Sequence, residues 1–168
     1  MINWQYFPKS DSTPNHLDNV VKVFKINEKK IGSLENELNS DKVLKFISGG
    51  LEKLGFKIEK SKKSKDRIEV PVLFGRNGKL EKYFLADGFD SKHCSVLEVE
   101  AGRAVTNYQF LKDLFEACMM NNVKYLIIAV RNQYRKNKDF ESVISFFDTL
   151  YASNRIVLPL DGVLIVGY

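Results

Sequence analysis

The sequence predicts an α/β domain, a mixed central sheet flanked by helices, and three observations carry that expectation. Val43, Leu44, Ile47, Leu51 and Leu54 recur at helical spacing. Residues 68–101 then break into short runs rich in β-branched and aromatic side chains, separated by turn signals. After residue 106 the pattern changes again, to a helix followed by a continuous apolar strand, the order that lays two strands side by side in parallel. A chain of 168 residues with 44% hydrophobic and 28% charged residues suits one globular domain with a core of its own. The expected organisation is a single domain in which residues 1–32 form an N-terminal arm and residues 33–168 the core.

In chain order, Pro8 and Pro14 with Asp11, Ser12, Thr13 and Asn15 mark a loop or arm, and Val20, Val21, Val23, Phe24 and Ile26 fit either a short strand or a helix. A first helix starts at Ser33 or Ser40, with Ser40 as a candidate N-cap, and runs to Leu54, where Gly55 stops it. The Gly49-Gly50 pair inside it costs about 1 kcal/mol per glycine against alanine, and marks either a close helix contact or a break. Phe56 and Ile58 begin the strands. Residues 68–74 and 80–86 form a hairpin around Arg76-Asn77-Gly78-Lys79, since Asn-Gly tolerates positive φ. Asp90-Ser91-Lys92 turns the chain into a strand over 96–101, completing an antiparallel meander. Thr106 and Gln109 make a T-x-x-Q capping box for a helix whose face carries Phe110, Leu111, Leu114, Phe115 and Cys118. Tyr125 to Val130 is the apolar strand, a last helix spans 139–151, and 163–166 closes the chain as a strand.

Composition narrows the function classes. Two cysteines, Cys94 and Cys118, make no disulfide framework, and no basic-then-apolar leader opens the chain. The longest apolar run is far too short to span a bilayer, so the expectation is a cytoplasmic protein with no membrane partner. The net charge is +5, with basic clusters at Lys57, Lys60, Lys62, Lys63, Lys65 and Arg67 and at Arg131, Arg135, Lys136 and Lys138. Such clusters attract phosphate backbones, and they are also ordinary solvated loops. No glycine-rich phosphate loop occurs, so nucleotide-dependent enzymes lack support. His16, His93, Cys94 and Cys118 match no zinc spacing. Phe140, Phe146, Phe147 and Tyr151 fit core packing better than base stacking, whereas Tyr134 stands beside Arg131 and Arg135.

The informative stretch is Ala86-Asp87-Gly88-Phe89-Asp90 followed by Val96-Leu97-Glu98-Val99-Glu100. Side chains alternate across a strand, so Glu98 and Glu100 share one face while Leu97, Val99 and Ala101 take the other. Alternating glutamates usually mean a solvated sheet face. Here the opposite face is cleanly apolar, and a hairpin folding back brings Asp87 beside Glu98. Converging carboxylates repel unless something positive lies between them, and Mg²⁺ or Mn²⁺ is the natural candidate because hard cations prefer oxygen ligands.

The order αβββαβ, with an acid after the second strand and Glu98-Val99-Glu100 in the third, resembles the PD-(D/E)xK nuclease superfamily, whose fold is that of restriction endonucleases. Glutamate stands where that superfamily usually has lysine, as in some type II restriction enzymes. Residues 40–56, 71–75, 96–103 and 146–155 also resemble a bacterial family of this fold, and the likeness covers about residues 33–168. It implies metal-dependent cleavage of nucleic acid, DNA more than RNA. Asp87 and Glu98 would be metal ligands, and Glu100 a ligand or the general base. Asp90 is the alternative to Asp87. An acid from the first helix would join them, Glu37 if that helix begins near Ser33, or Glu52. Arg103, Lys112, Arg131 and Arg135 are the expected nucleic-acid contacts, and the first three the candidates for the missing lysine charge. The rival expectation is a catalytically silent module that keeps the fold to bind nucleic acid or protein. Residues 1–28 are the candidate segment for a homodimer contact.

Overall fold

A computed structural model describes residues 1–61 and 63–168. Lys62, one of the first basic cluster, lies outside the described residues. The strands are β1 (Asn3–Phe7), β2 (Lys57–Ile58), β3 (Ile68–Phe74), β4 (Leu80–Ala86), β5 (Gly88–Asp90), β6 (Ser95–Val99), β7 (Tyr125–Val130) and β8 (Gly162–Gly167). The helices are α1 (Asn15–Ile31), α2 (Ser40–Lys53), α3 (Gln109–Met119) and α4 (Asp139–Ser153). A six-stranded mixed sheet runs in the order β1-β8-β7-β6-β5-β2, and β3 and β4 form a separate two-stranded ribbon. No helix among the described residues is long and apolar enough to cross a membrane.

The sheet is mixed because its middle and its edges are built differently. β6, β7 and β8 pair in parallel, as expected of strands joined through α3 and through α4. β1 and β5 pair antiparallel at the flanks. The parallel strands β7 and β8 are buried along almost their whole length, which explains why their sequences read as unbroken apolar runs. One face carries Leu97, Val99, Ile127, Ala129, Leu164 and Val166 against α1 and α2. The other carries Val96, Leu126, Ile128, Val163 and Ile165 against α3 and α4. The expected layering, helices on both faces of a mixed sheet, is what the chain adopts.

Four local expectations are corrected. Residues 1–32 are no arm: β1 closes the sheet beside β8, and α1 buries Leu17, Val20, Val21, Phe24 and Ile31. The helix was illegible in part because Pro14, at its N-cap, hides its start. The meander is interrupted. β4 ends at Ala86, the chain bends at Asp87, and β5 rather than β4 pairs with β6. The N-cap of α2 is Asn39, whose side chain accepts from the Lys42 amide at 3.0 Å, not Ser40. For α3 the T-x-x-Q box does not form. Tyr108, at φ 52°, precedes the helix with no side-chain cap.

Other readings hold. Asn77 and Gly78 turn the ribbon with φ of 60° and 72°. Gly50 is a close helix contact rather than a break: a Cβ there would come within 2.7 Å of Val23 Cγ1 on α1.

Candidate functional site

Asp87 occupies the bend between β4 and β5, and the bend is fixed from both sides. Its carbonyl accepts the Glu59 amide at 2.9 Å, and its carboxylate accepts the Val99 amide at 2.8 Å. The β5–β6 register places Gly88 opposite Leu97, so by one further step Asp87 falls opposite Glu98. Glu98 shares the sheet face of Val96 and points to the side covered by α3, as strand alternation requires. Beyond β6 the backbone stays paired for one more residue, the Glu100 amide donating to Ala129 O at 2.8 Å. Gly102, at φ +94°, then turns the chain away with the Tyr134 ring packed against it. A cavity of about 110 Å³ opens beside Asp87 and Glu98, edged also by Glu59 and Arg67. A larger cleft of about 510 Å³ lies apart from these carboxylates, between α2 and β2.

A fourth carboxylate, one the sequence analysis missed, enters from α3. Asp113 is only 5% exposed and sits among Phe110, Leu114 and Ala117 on the buried stripe of the helix. Its Oδ2 is buried with no hydrogen-bond partner. The signal was available, since Asp113 falls three residues after Phe110 and one before Leu114, inside an apolar face.

Burial and mutual repulsion show in the acidities. Burial first, then the Asp87 and Asp113 carboxylates, push Glu98 well above the usual carboxylate range, against the pull of the Lys112 ammonium. Glu100 is raised to about 7 by burial and Asp87, with Lys112 and Arg103 opposing. Asp113 is raised to about 8 by burial and by Glu100, again against Lys112. Carboxyls so placed stay neutral or share protons unless a cation joins them.

The remaining predicted residues separate. Glu37 is exposed in the loop before α2, because that helix begins at Ser40 and not near Ser33. Glu52 lies on α2 and pairs with Lys60 at 3.5 Å. Asp90 points to the opposite face from Asp87. It is 2% exposed, accepts the Lys92 amide at 2.9 Å and meets His93 Nδ1 at 2.6 Å. His93 in turn stacks on His16 at 4.6 Å between ring centroids. Asp90 is thus the anchor of a turn.

Among the basic residues, Arg103 is exposed and Lys112 donates to Glu116 at 3.1 Å. Arg135 is exposed, with its guanidinium over the Tyr134 ring at 5.2 Å. Arg131 is corrected from a surface contact to an internal one: it is 7% exposed, donates to the Leu38 carbonyl and lies against the Tyr134 ring at 5.0 Å. Its charge also opposes the rise that burial imposes on the Asp139 carboxyl. Arg131→Ala is therefore expected to lower stability by about 2 kcal/mol, because it leaves the part-buried Leu38 carbonyl without its donor and removes the charge that offsets the burial of Asp139. Urea denaturation measures it, and an unchanged midpoint would return Arg131 to the surface set.

The donor set suits a hard cation, since all four groups offer oxygen. Among the described residues no three His, Cys, Asp or Glu side chains already stand close enough to hold one ion between them. Hydrated Mg²⁺, which keeps several waters and uses one or two carboxylates, does not require such a cage. Comparison of the chain with protein-family models, with curated proteins and with solved structures finds no match.

Proposed function

We propose that this chain is a nuclease of restriction-endonuclease-like fold that uses Mg²⁺ or Mn²⁺ to hydrolyse phosphodiester bonds, with DNA favoured over RNA. The observation that carries the reading is the pairing of β5 with β6, which sets Asp87 opposite Glu98 at the end of the parallel part of the sheet. Asp87 and Glu98 would hold the ion, which when bound polarises a phosphate and lowers the pKa of a water. Asp87 is oriented for this by the Val99 amide, which fixes one carboxylate oxygen. Glu100, with a carboxyl raised to about 7, suits proton acceptance near neutral pH. Arg103 and Lys112 are the cations whose charge acts on these acids, and in this reading they would supply the positive charge that a bound phosphate needs.

Titration calorimetry with Mn²⁺ on the parent protein and on Glu98→Ala tests the reading, followed by cleavage assays on supercoiled plasmid. The parent is expected to bind at micromolar to millimolar concentration and the variant to lose the heat signal. Binding identical in both would remove Glu98 from the site. A parent that binds metal yet leaves plasmid intact would favour a silent module, consistent with glutamate in place of the usual lysine and with Lys112 engaged by Glu116.

A further inference from the structure

The ribbon of β3 and β4 has one protected edge and one open edge. On β3, Pro71 brings no amide to the edge, and its carbonyl already accepts the Asn121 amide at 2.7 Å. β4 carries no proline. Among the described residues it pairs with no strand except β3, and no backbone hydrogen bond from outside the ribbon reaches residues 80–86. An unpaired strand edge is a template for another strand, and chains that stay apart usually blunt it. Beside the open edge lies a hollow of about 500 Å³, lined by residues 81–85 of β4 and by Lys112 and Glu116 of α3. Phe115 and Met119 share the α3 face of those two residues, three or four positions along the helix, and both are more than half exposed. Tyr83 and Leu85 are exposed on β4, as are Phe74 and Leu80, which pair near the tip of the ribbon. Together these side chains leave roughly 550 Å² of apolar and aromatic surface in water, at about 200 Å² for each if fully exposed. That is the upper end of the largest patch on a typical monomer. With its polar rim it approaches the ~800 Å² per partner of a standard interface.

We propose that the open edge of β4 is a homodimer surface, where the β4 of a second copy pairs antiparallel across a twofold axis at Tyr83 and fills the hollow against α3. The side chains along the edge select a second copy as the occupant. Tyr83 is the midpoint of the open stretch 81–85, so an axis there sets Tyr83 opposite itself, Lys82 opposite Phe84 and Glu81 opposite Leu85. No like charges face each other in that register, whereas an axis one residue earlier would oppose Lys82 to itself. Lys82 already stands over Phe84 at 5.3 Å within its own chain, so the contact of ammonium with ring is one this strand makes. The twofold also closes the assembly, because each copy offers one open ribbon edge. This surface takes the place of residues 1–28 as the dimer contact, since β1 and α1 are built into the fold. The inference is independent of the metal reading above.

Sedimentation equilibrium of the parent, Tyr83→Asp, Leu85→Glu and Ile26→Asp tests it, with a melting curve for each to show that it is folded. The parent is expected to dimerise with a dissociation constant on the order of micromolar. Tyr83→Asp sets two carboxylates face to face across the axis, and Leu85→Glu sets one opposite Glu81 of the second copy. Each is expected to weaken the dimer at least about thirtyfold, and the second covers the case in which the first fails to fold. Ile26→Asp, on the exposed side of α1, is expected to dimerise like the parent. A parent that stays monomeric up to about millimolar concentration would overturn the proposal. So would a dimer that either folded β4 variant leaves intact, and so would one that Ile26→Asp weakens equally, which would place the contact on α1.

Discussion

Without divalent cations, the protein is expected to lose stability as pH rises from 6.5 to 8, opposite to the usual behaviour of a protein rich in paired carboxylates. Glu100 and Asp113 have carboxyls raised to about 7 and about 8 from ordinary values near 4.5 and 3.8, with burial the leading cause in both. A carboxyl whose folded value lies above its unfolded one binds more protons when folded. Its stabilising contribution is complete below the unfolded value and is lost as pH climbs through the folded one. The window is therefore about pH 4 to 8. In its lower part His16 works the other way. Burial and the neighbouring His93 hold its imidazole below the ordinary 6.5, so protonation of the unfolded chain costs stability as pH falls through that value. From pH 6.5 upward the unfolded imidazole is at most half protonated, so its opposing effect fades and the carboxyls dominate. Each proton released over a pH unit is worth about 1.4 kcal/mol, so a net loss of about 2 kcal/mol is expected, or a fall of roughly 4–8 °C in melting temperature for a domain of this size. Millimolar Mn²⁺ should flatten or reverse the slope, because an ion bound to the ionised acids stabilises the folded state most where those acids are deprotonated. Melting curves at pH 6.5, 7.2 and 8, with chelator and with Mn²⁺, measure both effects. A flat metal-free profile would show that the buried charges are already neutralised by Lys112 and Arg103.

The sequence made some of this site visible and hid the rest for identifiable reasons. Strand periodicity put Glu98 on one face and Leu97 and Val99 on the other, and the two faces do pack against different helix layers. The turn chemistry of Asn77-Gly78 and the apolar run of β7 were equally legible, because local backbone preference and two-sided burial leave direct marks. The placement of Asp87 opposite Glu98 was also reached, although the reasoning assumed a plain hairpin. In the structure a bend at Asp87 hands the pairing from β4 to the three-residue strand β5. Strands of two and three residues, such as β2 and β5, are too short to show a period, so the ribbon β3–β4 was wrongly merged into the sheet. Asp113 was passed over because the helix was read for its hydrophobic stripe, when the exception inside the stripe was the informative residue. Arg131 was misread because charge patterning counts residues along the chain, and the depth at the end of a buried parallel strand is set by the sheet.

The N-terminal segment supplies a second large effect, and it discriminates between the two conformations that its sequence permits. Val20, Phe24 and Ile26 would share one face of a strand, since strand side chains alternate with period two. On a helix, residues 24 and 26 are two steps of about 100° apart and point in nearly opposite directions. The structure has the helix: Phe24 is fully buried in the layer that covers Leu97, Ile127 and Leu164, whereas Ile26 is 82% exposed. Phe24→Ala is accordingly expected to cost about 3–5 kcal/mol, the transfer energy of the ring plus the cavity that a close-packed layer leaves behind. For a domain of this length that lowers the melting temperature by roughly 6–20 °C. Ile26→Ala, made in the same helix two residues away, is expected to change stability by less than about 0.5 kcal/mol. Chemical denaturation of the two variants measures the contrast. Equal large losses would indicate a strand with both side chains inward, and equal small losses an arm detached from the core. The expected inequality would tie residues 1–32 to the sheet that carries Glu98, so that a chain trimmed to its apparent core would lose the layer backing β6 and with it the support of the carboxylates on the other face.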